Sequence, residues 1–220
     1  MAFETGTIPE RIQQIYKGVH ACTLCHSNVN GTIKPDPDKV PRKFFPRIID
    51  SKLFMVAQSL AESQVRLSGV PFHDIHGNIS AGGRFLERFL NLVGYTIVPD
   101  KVDFNLIYST DIVQCYPGKK VIGTGDNIPL SSEIELCKTW LGQELSLLEP
   151  RAILLFGTPA NKTFFRQYLG QKFTKLSDYY LQPSRYGDSQ VVSLPHPTSM
   201  VPGKTAIYEE TFELLGQTLR

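Results

Sequence analysis

The stretch CTLCH at residues 22–26 sets two thiols two residues apart with a histidine directly behind them. That spacing suits a covalent haem attachment, half of a zinc site, or half of an iron–sulphur site. Covalent haem attachment usually belongs to exported proteins, and the opening MAFETGTIPERIQQIY has no basic stretch followed by an apolar run. Cys115 and Cys137 bring the cysteines to four. Four thiolates suit a tetrahedral zinc or a cubane cluster, and spacing alone does not choose between them. Elsewhere the polar residues with chemical potential are Gln58 and Ser59, Asp111, and His196 between Pro195 and Pro197. Each has a plain reading by itself: a strand end, a turn cap, a satisfied loop histidine.

These residues acquire meaning from the elements that must hold them. KLFMVA (52–57), FNLIYSTDIVQC (104–115), RAILLFG (151–157) and QVVSLP (190–195) read as strands. Between them lie helical patterns. AGGRFLERFLNLVG (81–94) puts Phe85, Leu86, Phe89, Leu90 and Val93 on one face. LSSEIELCKTWLGQELSLL (130–148) has Ser131 or Ser132 as a cap, and TPANKTFFRQYLG spans 158–170. A short helix after Thr7 with Ile12, Ile15 and Tyr16 on one face precedes a proline-rich loop at 27–49, and IYEETFELLGQTL closes the chain. Strands alternating with helices predict a three-layer α/β/α sandwich around a central, mostly parallel four-stranded sheet. Ligands in such sheets bind beyond the carboxyl ends of the strands, which is where Gln58, Asp111 and His196 fall.

Composition narrows the class further. The chain has 220 residues, enough for one sizeable core, and reads as a single domain over 1–220. Lys plus Arg number 23 against 21 Asp plus Glu, so any polyanion site is a local patch and not a global charge. No window approaches about eighteen consecutive apolar residues, which argues against a membrane. Four cysteines without a secretion signal point to the reducing cytoplasm.

Taken in order, four blocks resemble one family. VAQSLAE with SGVPF, YSTDIVQCYP, ILLFGTPA and LPHPTSM, behind the CTLCH pair, are similar to the iron–sulphur branch of the uracil-DNA glycosylase superfamily, the families numbered four and five. The resemblance runs through residues 22–201. It implies a monomeric DNA repair enzyme that flips a deaminated base out of DNA and hydrolyses its N-glycosidic bond, uracil being the first choice and hypoxanthine or xanthine the alternatives. A weakly catalytic nucleic-acid-binding homologue is the other alternative. Further, it implies a [4Fe–4S] cluster on Cys22, Cys25, Cys115 and Cys137 that ties down the N-terminal segment, with His20, His26, His73 and His76 as bystanders. Phe72 would stack on the base, Ala57, Ser59, Asp111 and Ser199 would contact it, and His196 would donate to its O2. Met200 and Val201 would wedge into the DNA, with Lys204 on a phosphate.

Two positions depart from the pattern. Gln58 stands where family four commonly has Glu, and an amide orients water without taking its proton. The length from Gln58 to Phe72 fits family five better, which makes Asp74 the candidate acid. Asp111 stands where family four has an Asn that both donates and accepts, so the acid would have to be protonated to do the same.

Overall fold

The computed structural model describes residues 6–24, 51–59, 61, 71–74, 76–120, 122 and 126–219. The loop read at 27–49 and the thiol of Cys25 lie outside them. In chain order the elements are α1 (Ile8–Ala21), β1 (Leu53–Ser59), α2 (Ala81–Leu92), β2 (Tyr95–Thr96), β3 (Asn105–Leu106), β4 (Tyr108–Val113) and α3 (Ser131–Leu148). They continue with β5 (Ala152–Phe156), α4 (Gly157–Gln167), a 3-10 turn at Leu176–Tyr179, β6 (Ser184–Tyr186), β7 (Ser189–Leu194) and α5 (Lys204–Leu219).

The main sheet runs β4-β1-β5-β7-β6. The first four strands are parallel, and β6 pairs antiparallel with β7 through a two-residue turn at Gly187–Asp188. The sheet therefore has five strands where the sequence pattern predicts four. Three residues of mixed exposure give no periodicity, and β6 forms because Gly187, at φ +55°, folds the chain back onto β7. The run 104–115 is not one strand either. Asn105–Leu106 pairs with Tyr95–Thr96 in a separate ribbon, and only Tyr108–Val113 enters the main sheet.

Side-chain alternation along the strands feeds two cores. On one face Phe54, Val56, Tyr108, Ile112, Ile153 and Leu155 meet Ile12, Ile15 and Val19 of α1, Trp140, Leu141 and Leu145 of α3, and Phe164 and Phe165 of α4. On the other, Leu53, Met55, Leu154, Phe156, Val192 and Leu194 meet Leu86, Phe89 and Leu90 of α2 and Tyr208, Phe212 and Leu215 of α5. Each such side chain contributes about 1.5–3 kcal/mol by leaving water. The three-layer sandwich is thus observed.

Helix starts follow local chemistry. The Glu10 carboxylate accepts the Thr7 N–H at 2.7 Å, closing the first turn of α1. Ser80 caps α2 by accepting the Gly83 N–H at 3.1 Å. At α3 the cap position is Leu130 and not a serine. Glu133 reaches back to accept the Leu130 N–H at 2.7 Å, the return half of a capping box, and no cap side chain bonds the N–H groups of the first turn.

Candidate active site

A cavity of about 550 Å³ opens at the carboxyl end of β1 and against the middle of β4, within the size range of small-molecule sites. β1 contributes Ala57, Gln58 and Ser59, and β4 contributes Ser109 and Asp111. Parallel register places Ala57 beside Asp111, so the two strands present these groups at the same height. Phe72, Asp74, His196 and Thr198 complete the wall facing them. Of the residues singled out from the sequence, Ala57, Gln58, Ser59, Phe72, Asp74, Asp111 and His196 all line this one cavity.

The stacking candidate is held by force. Phe72 sits at φ +59°, a conformation that costs a non-glycine residue about 1–3 kcal/mol. Its carbonyl accepts the Ser80 N–H at 2.7 Å, and the first turn of α2 holds two glycines, Gly82 and Gly83, that let it come close. A Cβ on Gly83 would lie 2.9 Å from Phe72 Cβ, and one on Gly82 would lie 2.6 Å from Thr198 Cγ2. The Phe72 ring stands 5.9 Å from that of His196, inclined at 40°.

His196 has a defined hydrogen pattern. Its Nδ1 lies 2.8 Å from Thr198 Oγ1 and receives the Thr198 backbone N–H at 3.3 Å. A backbone N–H only donates, so Nδ1 is the acceptor and a neutral ring carries its hydrogen on Nε2. Burial, with Lys204 adding to it, holds the imidazole below its ordinary pKa. His73, read from the sequence as a bystander, is buried and also lines the cavity. Its Nδ1 lies 2.8 Å from the Pro71 carbonyl oxygen, which only accepts. A neutral His73 therefore has its lone pair on Nε2, the reverse of His196. Nothing in the sequence signals this, because it depends on the turn at Pro71–Phe72.

The two carboxyl groups differ in kind. Asp74 accepts the N–H of His76 at 2.8 Å and of Asn78 at 2.9 Å, with the Asn78 amide at 3.3 Å. The Asn78 backbone bond leads in holding its pKa below the usual value, so it is an ionised, loop-organising group at the cavity edge. Asp111 is buried, and desolvation together with the charge of Glu144 pushes it up to about 7.

The remaining sequence candidates stand outside the wall. Ser199 turns its hydroxyl to the His196 carbonyl at 2.7 Å. Met200 is 99% exposed, next to half-buried Val201. Lys204 Nζ donates to the carbonyls of Pro197 at 2.6 Å and Ser199 at 2.8 Å, and lies 4.4 Å from the centre of the Phe85 ring. It braces the loop that carries His196. Asp126 and Asn127 line the cavity without having been singled out. Asn127 is fixed by donating to the carbonyls of Pro117 and Lys119, and Asp126 by accepting the Tyr116 hydroxyl.

Cys22, at the end of α1, Cys115, past β4, and Cys137, on α3, belong to the same apolar core. That core is on the opposite face of the sheet from the core containing Met55, against which Phe72 packs. Among the described residues no group of three or more His, Cys, Asp or Glu side chains is arranged to hold a metal ion. The donor type and apolar surroundings nevertheless suit a thiolate-held cluster, with Cys25 three residues from Cys22. Among the described residues no helix is long and apolar enough to cross a membrane.

A mostly parallel sheet between helix layers, with an aromatic ring, an imidazole and a buried acid around one cavity, is an α/β domain of the open-sheet type. Its lineage is explicit: the family model of the Uracil DNA glycosylase superfamily matches residues 45–219, and the chain belongs to that superfamily. It is similar to the type-4 uracil-DNA glycosylase of Archaeoglobus fulgidus, 22% identical over 215 residues, covering 94% of this chain and 93% of that protein.

Proposed function

We propose that this protein hydrolyses the N-glycosidic bond of uracil flipped from DNA, leaving an abasic site. The observation that carries the reading is the convergence of Phe72, His196 and Asp111 on one cavity, with His196 holding an N–H at Nε2. A flipped base stacks on Phe72, an interaction comparable to the about 1–3 kcal/mol per base of aromatic platforms. As the glycosidic bond breaks, its electron pair goes to the base and charge grows on O2 and O4. His196 Nε2–H meets O2. Asp111 in its acid form has one O–H and one C=O, the same donor and acceptor pair as an amide. It donates to O4 and accepts from N3–H.

Water attacks C1′ of the sugar cation from the opposite side, its hydroxyl bonding to carbon and its proton leaving to an acceptor. The Gln58 amide orients this water, ionised Asp74 stabilises the cation, and His73 lines the same wall. Met200 and Val201 meet the gap left by the flipped nucleotide, and the N–H that Lys204 does not spend on its loop reaches a phosphate.

Cys22, Cys25, Cys115 and Cys137 would hold a [4Fe–4S] cluster. Its contribution there is structural, fastening α1 to the β4 end and α3. The test is release of base from oligonucleotides carrying uracil, hypoxanthine or xanthine. Uracil release supports the reading. Release of a different base alone reassigns the substrate, and tight binding with no release makes the protein a base-binding homologue.

A further inference from the structure

Behind the strand that carries Asp111 lies a second buried carboxyl group. Glu144 of α3 is 1% exposed and receives two converging chains of donors. Tyr108 donates its hydroxyl hydrogen to Oε1 at 2.9 Å. That hydrogen is spent there, so the Tyr16 hydroxyl, 3.2 Å away, donates to Tyr108. On the other side Thr110 Oγ1 donates to Oε2 at 2.5 Å, and Gln114 Nε2 donates to Thr110 Oγ1 at 2.7 Å and approaches the same Oε2 at 3.4 Å. The hydroxyl hydrogens of Tyr16, Tyr108 and Thr110 all run towards Glu144. A carboxylate, which only accepts, is the form that completes this pattern.

Strand alternation separates the two acids. Tyr108 and Thr110 bond Glu144, while Ser109 and Asp111 line the cavity on the other face. Gln114 Nε2 also donates to the Asp111 backbone carbonyl at 2.9 Å, joining the two sides. The titratable groups acting with Glu144 are the phenols of Tyr16 on α1, Tyr108 on β4 and Tyr168 after α4. Those sharing the cavity with Asp111 are His73, Asp74, Asp126 and His196, and among the described residues no lysine or arginine lines it. Both carboxyls are raised to about 7, chiefly by burial, and two negative charges on opposite sides of one strand oppose each other. Glu144 has the donors and takes the charge.

We propose that Glu144 is a positioning residue for base recognition: by carrying the one negative charge of this carboxyl pair behind the sheet, it keeps Asp111 as the acid that presents O–H and C=O to the base. This rests on the reading of Asp111 as the base-facing group. It names the device by which an aspartate stands in for an amide.

The test is isotope-edited infrared spectroscopy of the intact protein across neutral pH, with labelled carboxyls assigned by difference against Asp111→Asn and Glu144→Gln. Glu144 should ionise first, with the Asp111 acid band persisting at neutrality. Asp111 ionising first overturns the proposal, and this measurement needs no turnover. In base-release assays Glu144→Gln should move the alkaline limb of the rate profile down by about one pH unit or more. Thr110→Val, which removes only one donor to Glu144, should move it the same way by less. Both shifts should vanish in combination with Asp111→Asn. A uniform rate loss with an unmoved limb means that Glu144 only supports the fold, and overturns the proposal. Should Glu144→Gln fail to fold, the wild-type spectra and Thr110→Val decide. Absence of base release from every oligonucleotide would defeat the glycosylase reading and leave the order of ionisation to be read from the spectra.

Discussion

Thr198 grips one nitrogen of His196 twice, through its hydroxyl at 2.8 Å and its backbone N–H at 3.3 Å. The imidazole is thereby fixed with its donor at Nε2, and burial keeps it neutral. His196→Ala should lower single-turnover base release by about 10²–10³-fold, the loss for one donor to a developing anion. Affinity for abasic DNA should change little. A variant that turned over at the wild-type rate would return His196 to a loop-filling role.

Asp111 should show its protonation state in the pH–rate profile on uracil. Its acid form is lost as pH rises through about 7, so the wild-type rate should decline above neutrality. Asp111→Asn cannot ionise and should keep or raise activity while flattening that decline. Stability supplies an independent check. The folded pKa is raised above 3.8, so the favourable contribution is complete below the unfolded value and is lost as pH rises through the folded one. At alkaline pH the asparagine variant should therefore gain stability over wild type, by at most about 4 kcal/mol, measured by denaturant midpoints. Identical profiles and midpoints would mean Asp111 neither meets the base nor feels its burial.

The close packing of Gly82 on Thr198 makes a sharp demand. A Cβ at 2.6 Å from Thr198 Cγ2 must push the threonine that orients His196. Gly82→Ala should cost about 10–100-fold in rate, as small misplacements of catalytic groups do. Gly142→Ala is the control. Its Cβ would meet nothing nearer than 3.9 Å, and alanine suits a helix better, so rate and stability should hold or improve. Equal effects of the two would remove Gly82 from the positioning of the site.

The thiols make the metal assay direct. Purified protein should carry about four irons per chain, with broad visible absorption. Cys137→Ala should lower the unfolding midpoint as well as the iron content, because it unfastens α3 from α1. One zinc and no iron would replace the cluster with a tetrahedral site. A sharp Soret band would point to haem.

Much of this arrangement is legible in the sequence. Alternating apolar runs located β1, β5 and β7, because strands buried on both faces read as continuous hydrophobic stretches. Gln58, among the last residues of β1, and His196, just past β7, fell into one cavity because a parallel sheet gathers its carboxyl ends. The ordered motifs added Phe72 and Asp111. What stayed hidden depends on contacts that have no local pattern. The lone pair of His73 follows from a carbonyl two residues back, and Asp126 and Asn127 reach the wall through bonds to Tyr116 and the 117–119 turn. In sequence Glu144 is one of several polar positions in the 130–148 helix, with nothing to set it apart. Its burial becomes apparent only when Tyr108 and Thr110 are seen to face it. Strand β6 leaves no sequence pattern for a simpler reason, since three residues are too few to carry a period.

Trp140, the chain's one tryptophan, lies against Gly18 so closely that a Cβ there would stand 2.7 Å from its ring. It is 8% exposed and sits on the junction between α1, which ends at Cys22, and α3, which bears Cys137. The molecule therefore contains a single native indole, excited apart from its nine tyrosines at the red edge of their absorption, at the seam the four cysteines would fasten. Parting of the two helices would admit water to the indole and shift its emission to the red, with no label attached. Chelator-induced loss of metal could then be followed in real time by colour leaving the protein and by the light from Trp140, and the interval between the two signals would time the opening of the seam.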